Sequence, residues 1–191
     1  MKLAEIEKVL LEQQDELRGF SGENFIHRQE ENLINLNSKL AQVVIGVRRS
    51  GKSTLCVNAL NKASVNFAYV NFDDERFDKL ATEDLDNVLQ ILYRIYGRFE
   101  YLLLDEIQNI EGWPLFVNRL LRQKLHLIIT GSNAKLLSVE LASHLTGRHH
   151  IIELYPFSFK DWCRIKGLET DRMTTKSRGL ISREYEAYSL Q

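Results

Sequence analysis

The nonapeptide Gly46-Val47-Arg48-Arg49-Ser50-Gly51-Lys52-Ser53-Thr54 carries the most informative pattern in this chain of 191 residues. It matches G-x-x-x-x-G-K-[ST], in which glycines let the backbone close around a phosphate and the lysine reaches the terminal phosphates of a nucleotide. A β-branched run at residues 42–47 precedes the loop and predicts a buried strand. The residues after the loop suit a helix, whose N-terminus attracts anions. The pattern therefore predicts a phosphate-binding loop.

This loop supplies the candidate ligands for ATP and Mg²⁺. Lys52 is also a catalytic candidate, because its ammonium group neutralises charge on the transferring phosphoryl group. Ser53 is a candidate magnesium ligand through its hydroxyl. For Arg48 and Arg49 a solvated or partner-facing role is an open alternative to a phosphate contact. The predicted nucleotide ligands are Gly46, Arg49, Ser50, Gly51, Lys52, Ser53 and Thr54.

A second part of the site is predicted where the apolar segment Leu102-Leu103-Leu104 ends in Asp105-Glu106. Ligands of open α/β sheets bind at the carboxyl ends of the strands, so both carboxylates would lie beside the loop. We expect Asp105 to hold magnesium and Glu106 to orient the attacking water. An apolar strand that simply meets a solvated turn gives the same pattern, and the preceding phosphate-binding loop favours the functional interpretation.

Two further candidates are less sharply defined by the sequence. The strand predicted at residues 125–130 continues into Gly131-Ser132-Asn133, where Asn133 or Ser132 either senses the terminal phosphate or caps the next helix. Arg148 is a candidate for the arginine that stabilises charge on the transferring phosphoryl group, in its own chain or in a neighbour, and a solvated turn is the alternative. The adjacent His149 and His150 are interpreted as structural, because neighbouring strand residues face opposite ways.

Strands and helices alternate along most of the chain, which predicts a parallel sheet covered on both faces. Strands are predicted at 42–47, 65–72, 101–105, 125–130 and 150–154, and helices at 1–18, 28–40, 83–96, 114–123 and 134–141. Residues 166–178 are polar and interrupted by glycine, and a last amphipathic helix follows near Leu180.

Composition excludes several classes of protein. The formal net charge is −1, so no global basic field favours nucleic acid. Cys56 and Cys163 lie too far apart for a disulfide framework or a metal cluster. The N-terminus is too acidic for a signal peptide, and no apolar run approaches the roughly 20 residues of a membrane span. We expect a cytoplasmic protein.

The motifs GVRRSGKST, YVNFDDERF, LLLDEIQNIEGW, IITGSNAKLLS and LTGRHHIIELYPFSFKDW together resemble prokaryotic AAA-type P-loop ATPases that carry a C-terminal domain of unknown function. The resemblance implies a three-layer αβα sandwich with a mainly parallel five-stranded sheet in the order 5-1-4-3-2. It also implies an N-terminal helical segment at 1–24, the ATPase domain at 25–162 and a helical tail at 163–191. Such relatives are about twice as long, so the tail would begin a missing region.

The function expected from this resemblance is ATP hydrolysis that drives a conformational change in a protein partner or in the missing C-terminal domain. Assembly into a homo-oligomer is compatible with it, and neither nucleic acid nor membrane binding is supported by the chain. An ATP-dependent binding switch with negligible turnover is the alternative. A small-molecule kinase would need a lid that is not evident, and a GTPase would need a guanine-reading Asn-Lys-x-Asp segment that the sequence lacks.

Overall fold

Five parallel strands form the centre of the computed structural model, which describes residues 1–20, 26, 28–132, 145, 147–168 and 174–189. They are β1 (Ala41–Gly46), β2 (Phe67–Asn71), β3 (Tyr101–Asp105), β4 (His126–Ser132) and β5 (His149–Glu153). Each neighbouring pair is parallel, and the order is β2-β3-β4-β1-β5. The predicted α/β class and strand order 5-1-4-3-2 are therefore confirmed.

Helices cover both faces of this sheet. They are α1 (Leu3–Phe20), α2 (Lys52–Lys62), α3 (Leu85–Tyr96) and α4 (Trp113–Arg122). Because strand residues alternate between faces, Val43 and Leu104 join the core under α1, α3 and α4, whereas Val44 and Leu103 join the core under α2. The helix predicted at residues 134–141 lies outside the described residues.

The helix predicted at residues 28–40 is wrong. The structure has only a short 3₁₀ helix at Gln29–Leu33, after which Ile34 is extended. Polar side chains take the backbone N–H groups that a helix would use: Asn35 Oδ1 accepts from the N–H of Asn37, and Ser38 Oγ accepts from the N–H of Leu40, at 3.1 and 3.0 Å. Such local bonds compete with helix formation, and an apolar periodicity does not reveal them.

Helix α1 protects the edge strand β2. Gln13 is buried, and its amide both accepts from the N–H of Asn71 at 2.9 Å and donates to the carbonyl of Asn71 at 3.0 Å. The same amide group donates to Asp74, which caps the 3₁₀ helix Glu75–Phe77. The side chain thus occupies the place of a neighbouring strand at the end of β2, where an exposed edge would attract other chains.

The chain divides into two compact units, Met1–Leu154 and Tyr155–Gln191. The second unit contains α5 (Phe159–Ile165) and α6 (Thr175–Ser189), and α6 runs through Gly179. Its helices meet through aromatic rings, with Phe159 edge-on to Tyr185 at 5.0 Å. The predicted division at residues 24 and 162 stays a prediction. No helix within the described ranges is both long and apolar enough to cross a membrane.

Candidate nucleotide-binding site

The phosphate-binding loop joins the carboxyl end of β1 to the N-terminus of α2. Gly51 has φ +89°, a left-handed conformation that glycine adopts without steric cost, and α2 begins at the next residue. The Lys52 side chain is buried and donates to the carbonyls of Gly46 and Val47 at 3.4 and 3.3 Å. The first residue of α2 therefore holds a positively charged group against the backbone of the loop.

Gly46 is held against the last residue of the first unit. A Cβ atom at this position would lie 2.2 Å from the carbonyl oxygen of Leu154 and 2.9 Å from Ser50 Oγ. The Leu154 carbonyl belongs to backbone that is itself tied to β1, because its N–H donates to Ile45 at 2.7 Å. Glycine is thus required here by close backbone packing, in addition to any approach of a phosphate.

Asp105 ends β3 and is almost completely buried among hydroxyl groups. Ser53 Oγ donates to its Oδ1 at 2.9 Å, Thr130 Oγ1 donates to the same oxygen, and Tyr69 Oη donates to Oδ2 at 3.2 Å. The four residues come from α2, β4, β2 and β3, so three strands and a helix converge on one carboxylate. The structure brings Ser53 and Asp105 together, as expected for a shared magnesium ion.

Burial raises the pKa of Asp105, and the negative charge of Glu106 raises it further, while the hydrogen bonds from Thr130, Ser53 and Tyr69 lower it. The net direction is upward, because removing a carboxylate from water disfavours its charged form. Burial and the nearby Asp105 also raise the pKa of the Tyr69 hydroxyl, which keeps it a hydrogen-bond donor. A divalent cation at this carboxylate would offset the cost of burying the charge.

Glu106 follows β3 in a left-handed backbone conformation, with φ +52°. Its N–H donates to both the carbonyl and the hydroxyl of Thr130, at 3.1 and 3.2 Å, which fixes the backbone at this strained position. Its Oε1 lies 3.2 Å from Lys52 Nζ, and its other carboxylate oxygen accepts from Gln108. The carboxylate is therefore aimed at the lysine of the phosphate-binding loop.

The exposed arginines of the loop have different surroundings. Arg48 forms an ion pair with Asp73 at 2.8 Å, across the carboxyl edge of the sheet. Arg49 has φ +66°, which is uncommon for a residue with a Cβ atom. Its predicted contact with a nucleotide stays a prediction.

The residue predicted to sense the terminal phosphate and the arginine predicted to stabilise the transferring phosphoryl group lie in different parts of the sheet. Ser132 ends β4 and pairs in register with Gly46, beside the loop, whereas Asn133 lies outside the described residues. Arg148 precedes β5 at the amino end of the sheet, and its Nη1 donates to Asn118 at 3.1 Å. Because Ala41 pairs with His149, the length of β1 puts Arg148 about 17 Å from the loop.

That distance means that the structure does not bring Arg148 into the site of its own chain. The predicted parallel sheet already conflicts with a role for Arg148 in its own site, because a residue that precedes a parallel strand lies at the amino edge whereas ligands bind at the carboxyl edge. A role on a neighbouring subunit stays a prediction. The histidines have structural contacts, as interpreted: Nδ1 of His149 lies 2.8 Å from the carbonyl of Leu145, and Nδ1 of His150 lies 3.3 Å from Gln42.

Three residues near the loop were not singled out from the sequence. Thr130 could have been found as the polar residue that directly follows the apolar run Leu127-Ile128-Ile129 of β4, and Tyr69 only from the register of β2 against β3. Arg28 was assigned only to a predicted helix, but its buried guanidinium donates to the carbonyl of Ser50 at 2.9 Å. No local motif marks this long-range contact.

The side chains fit a nucleotide with magnesium. Mg²⁺ prefers oxygen ligands and is usually held by one or two carboxylates together with substrate phosphates and water, which suits Ser53 and Asp105. Within the described ranges no group of three or more His, Cys, Asp or Glu side chains could form an all-protein metal cage. The Ser50 hydroxyl is buried in the loop without a hydrogen-bond partner in the described part of the chain, and a phosphate oxygen would satisfy it.

This chain is similar to several known proteins. An uncharacterized protein of Methanocaldococcus jannaschii is 36% identical over 140 residues, which cover 73% of this chain and 32% of the relative. An uncharacterized protein of Haemophilus influenzae is 38% identical over 158 residues, which cover 77% of this chain and 38% of the relative. The chain thus spans about a third of the length of these curated relatives. The Thermotoga maritima RuvB Holliday junction branch migration motor gives a TM-score of 0.44 at 17% identity, covering 68% of this chain and 45% of that one.

The family model of the AAA domain matches residues 38–163, more than half of the chain. The matched residues include the phosphate-binding loop, Asp105, Glu106 and all five strands. This chain belongs to the AAA domain family.

Proposed function

We propose that this AAA domain binds ATP with Mg²⁺ and hydrolyses it. The observation that carries the proposal is the convergence of two pairs at the carboxyl edge of the sheet: Lys52 with Glu106 at 3.2 Å, and Ser53 with Asp105 at 2.9 Å. The first pair joins a phosphate-binding cation to a general base, and the second is a hydroxyl and carboxylate pair suited to magnesium. Together they are the groups that phosphoryl transfer to water requires.

Lys52 and the backbone of the loop would bind the phosphates. Lys52 contacts Glu106 and two loop carbonyls, so its positive charge is held at the place where phosphate oxygens would arrive. When phosphate oxygens bind the ammonium group of Lys52, the Glu106 carboxylate loses its ion-pair partner. Its free oxygen then orients a water and accepts a hydrogen bond from it, which is the role of a positioned base.

Asp105 and Ser53 would hold magnesium, which neutralises developing charge on the phosphates when bound. Tyr69 and Thr130 orient Asp105 through hydrogen bonds, so neither carboxylate oxygen turns away from the site. Most of the catalysis would come from this positioning and from charge neutralisation, since phosphoryl transfer asks little covalent chemistry of the protein.

Hydrolysis would drive a conformational change in a partner or in a region beyond this chain. The curated relatives are about three times as long as the segment that they share with this chain, which supports an appended region as the recipient.

The decisive experiment measures phosphate release from ATP with magnesium for the wild type, Glu106→Gln, Lys52→Ala and the control Glu111→Gln. Glu111 is an exposed carboxylate five positions after Glu106. We expect Glu106→Gln to keep nucleotide binding and to lower the rate by about 100-fold or more, as loss of a general base does. Lys52→Ala should lose binding, and Glu111→Gln should behave as the wild type.

An unchanged rate in Glu106→Gln would refute the catalytic assignment. Tight binding of ATP by the wild type with no turnover at any protein concentration would instead favour the binding switch. Absence of nucleotide binding by the wild type would refute the whole proposal.

A further inference from the structure

Arg28 lies outside the residues matched by the AAA domain model and donates a hydrogen bond to the backbone of the phosphate-binding loop. Its side chain is 7% exposed, and Nη1 donates to the carbonyl oxygen of Ser50 at 2.9 Å. Its own backbone N–H donates to Glu31 Oε1 at 3.0 Å, which closes the start of the 3₁₀ helix Gln29–Leu33. We infer that Arg28 is a positioning residue that holds the loop in the conformation that binds phosphate.

The peptide bond between Ser50 and Gly51 explains how this contact acts. The described chain contains no cis peptide bond, and in a trans peptide the carbonyl of one residue and the N–H of the next point in opposite directions. By binding the Ser50 carbonyl, Arg28 therefore keeps the Gly51 N–H pointing away from its own guanidinium, where it remains available to a phosphate. Inward-facing N–H groups are what such a loop offers to a phosphate.

The loop needs such a restraint because of its composition. Gly51 is left-handed, and glycine crosses between backbone conformations more freely than other residues, so the peptide before it can rotate easily. The neighbouring Ser50 hydroxyl has no partner in the described part of the chain and does not restrain the loop. A charge-assisted hydrogen bond from a buried guanidinium is among the stronger restraints available.

The inference rests on the proposed binding of nucleotide phosphates, and its test separates the two. ADP affinity is measured by isothermal titration calorimetry in EDTA, which removes any contribution of Ser53 and Asp105 through magnesium. We expect Arg28→Met to raise the Kd for ADP about tenfold or more, as loss of a hydrogen bond to a charged group does. Arg28→Lys should raise it less, because an ammonium group keeps the charge but lacks the planar fork.

The control is Arg94→Met, which removes an arginine paired with Glu7 at 3.0 Å on the surface. It should leave the Kd for ADP unchanged. In steady-state hydrolysis, Arg28→Lys should raise KM for ATP and keep kcat, because Arg28 touches neither the carboxylate base nor the magnesium ligands. A residue that only stabilises the fold would lower the melting temperature without this selective rise in KM.

Wild-type ADP affinity in a folded Arg28→Met chain would overturn the inference. If Arg28→Met does not fold, wild-type ADP affinity and KM in Arg28→Lys would overturn it. A wild-type chain that binds ADP but never hydrolyses ATP would count against the proposed hydrolysis alone, whereas one that binds no ADP would overturn both.

Discussion

Replacing Gly46 by alanine should damage both the fold and the site, for a reason that the structure makes quantitative. The added Cβ would lie 2.2 Å from the Leu154 carbonyl oxygen, about 1 Å inside an ordinary carbon–oxygen contact of about 3.3 Å. The carbonyl cannot retreat easily, because Leu154 donates to Ile45 at 2.7 Å and Ile45 pairs with Glu153 of β5. Strand β5 and the loop would have to separate.

Overpacking of this kind costs about 1–3 kcal/mol, and the backbone contact places Gly46→Ala near 3 kcal/mol. For a chain of this size that corresponds to a fall of about 6–12 °C in melting temperature. The same methyl group would displace Ser50 Oγ, now 2.9 Å away, and so disturb the carbonyl that Arg28 holds. We therefore expect weaker ADP binding as well.

Thermal unfolding followed by circular dichroism gives the first quantity, and calorimetric titration with ADP gives the second. Gly19→Ala is the matched control, since a Cβ at Gly19 in α1 would have nothing within 4 Å. That variant should be neutral or slightly stabilising, because alanine is the better helix former. A Gly46→Ala chain with unchanged melting temperature and ADP affinity would refute the close approach of Leu154 on which the reasoning depends.

Three other predictions test separate parts of the site and fold. Thr130→Val should lower the free energy of unfolding by about 1–3 kcal/mol in urea titrations, because it removes a donor to the buried Asp105 carboxylate; unchanged stability would contradict this. Asp74 has a pKa of about 2, below its ordinary 3.8, mainly because Arg76 donates to it. Its contribution to stability should therefore be complete above about pH 4 and be lost as pH falls toward 2. Asp74→Asn should then destabilise the chain at pH 7 but hardly at pH 2. An equal loss of stability at both pH values would count against the pairing of Asp74 with Arg76. Arg148→Ala should lower the rate of ATP hydrolysis only under conditions where specific activity rises with protein concentration; a rate independent of concentration in the wild type would exclude a role for Arg148 on a neighbouring subunit.

Much of the fold could be predicted because its signals are local. The β-branched run of β1, the apolar run of β3 and the alternation of strands with helices are properties of short segments, and they led to a parallel sheet. The strand order, which the structure confirms, was implied only by the family resemblance. The failure at residues 28–40 has the opposite origin. There the hydrogen bonds of Asn35 and Ser38 with nearby backbone prevailed over an apolar periodicity.

By itself, the sequence determined the phosphate-binding loop and the pair Asp105-Glu106, because contiguous residues at constrained spacings form both. Only the tertiary structure decided which groups surround them. Tyr69 and Thr130 reach Asp105 because parallel pairing aligns the ends of β2, β3 and β4, and Arg28 reaches Ser50 across 22 positions. Contacts between distant residues depend on strand register and layer packing, and these are settled only when the whole core is buried at once.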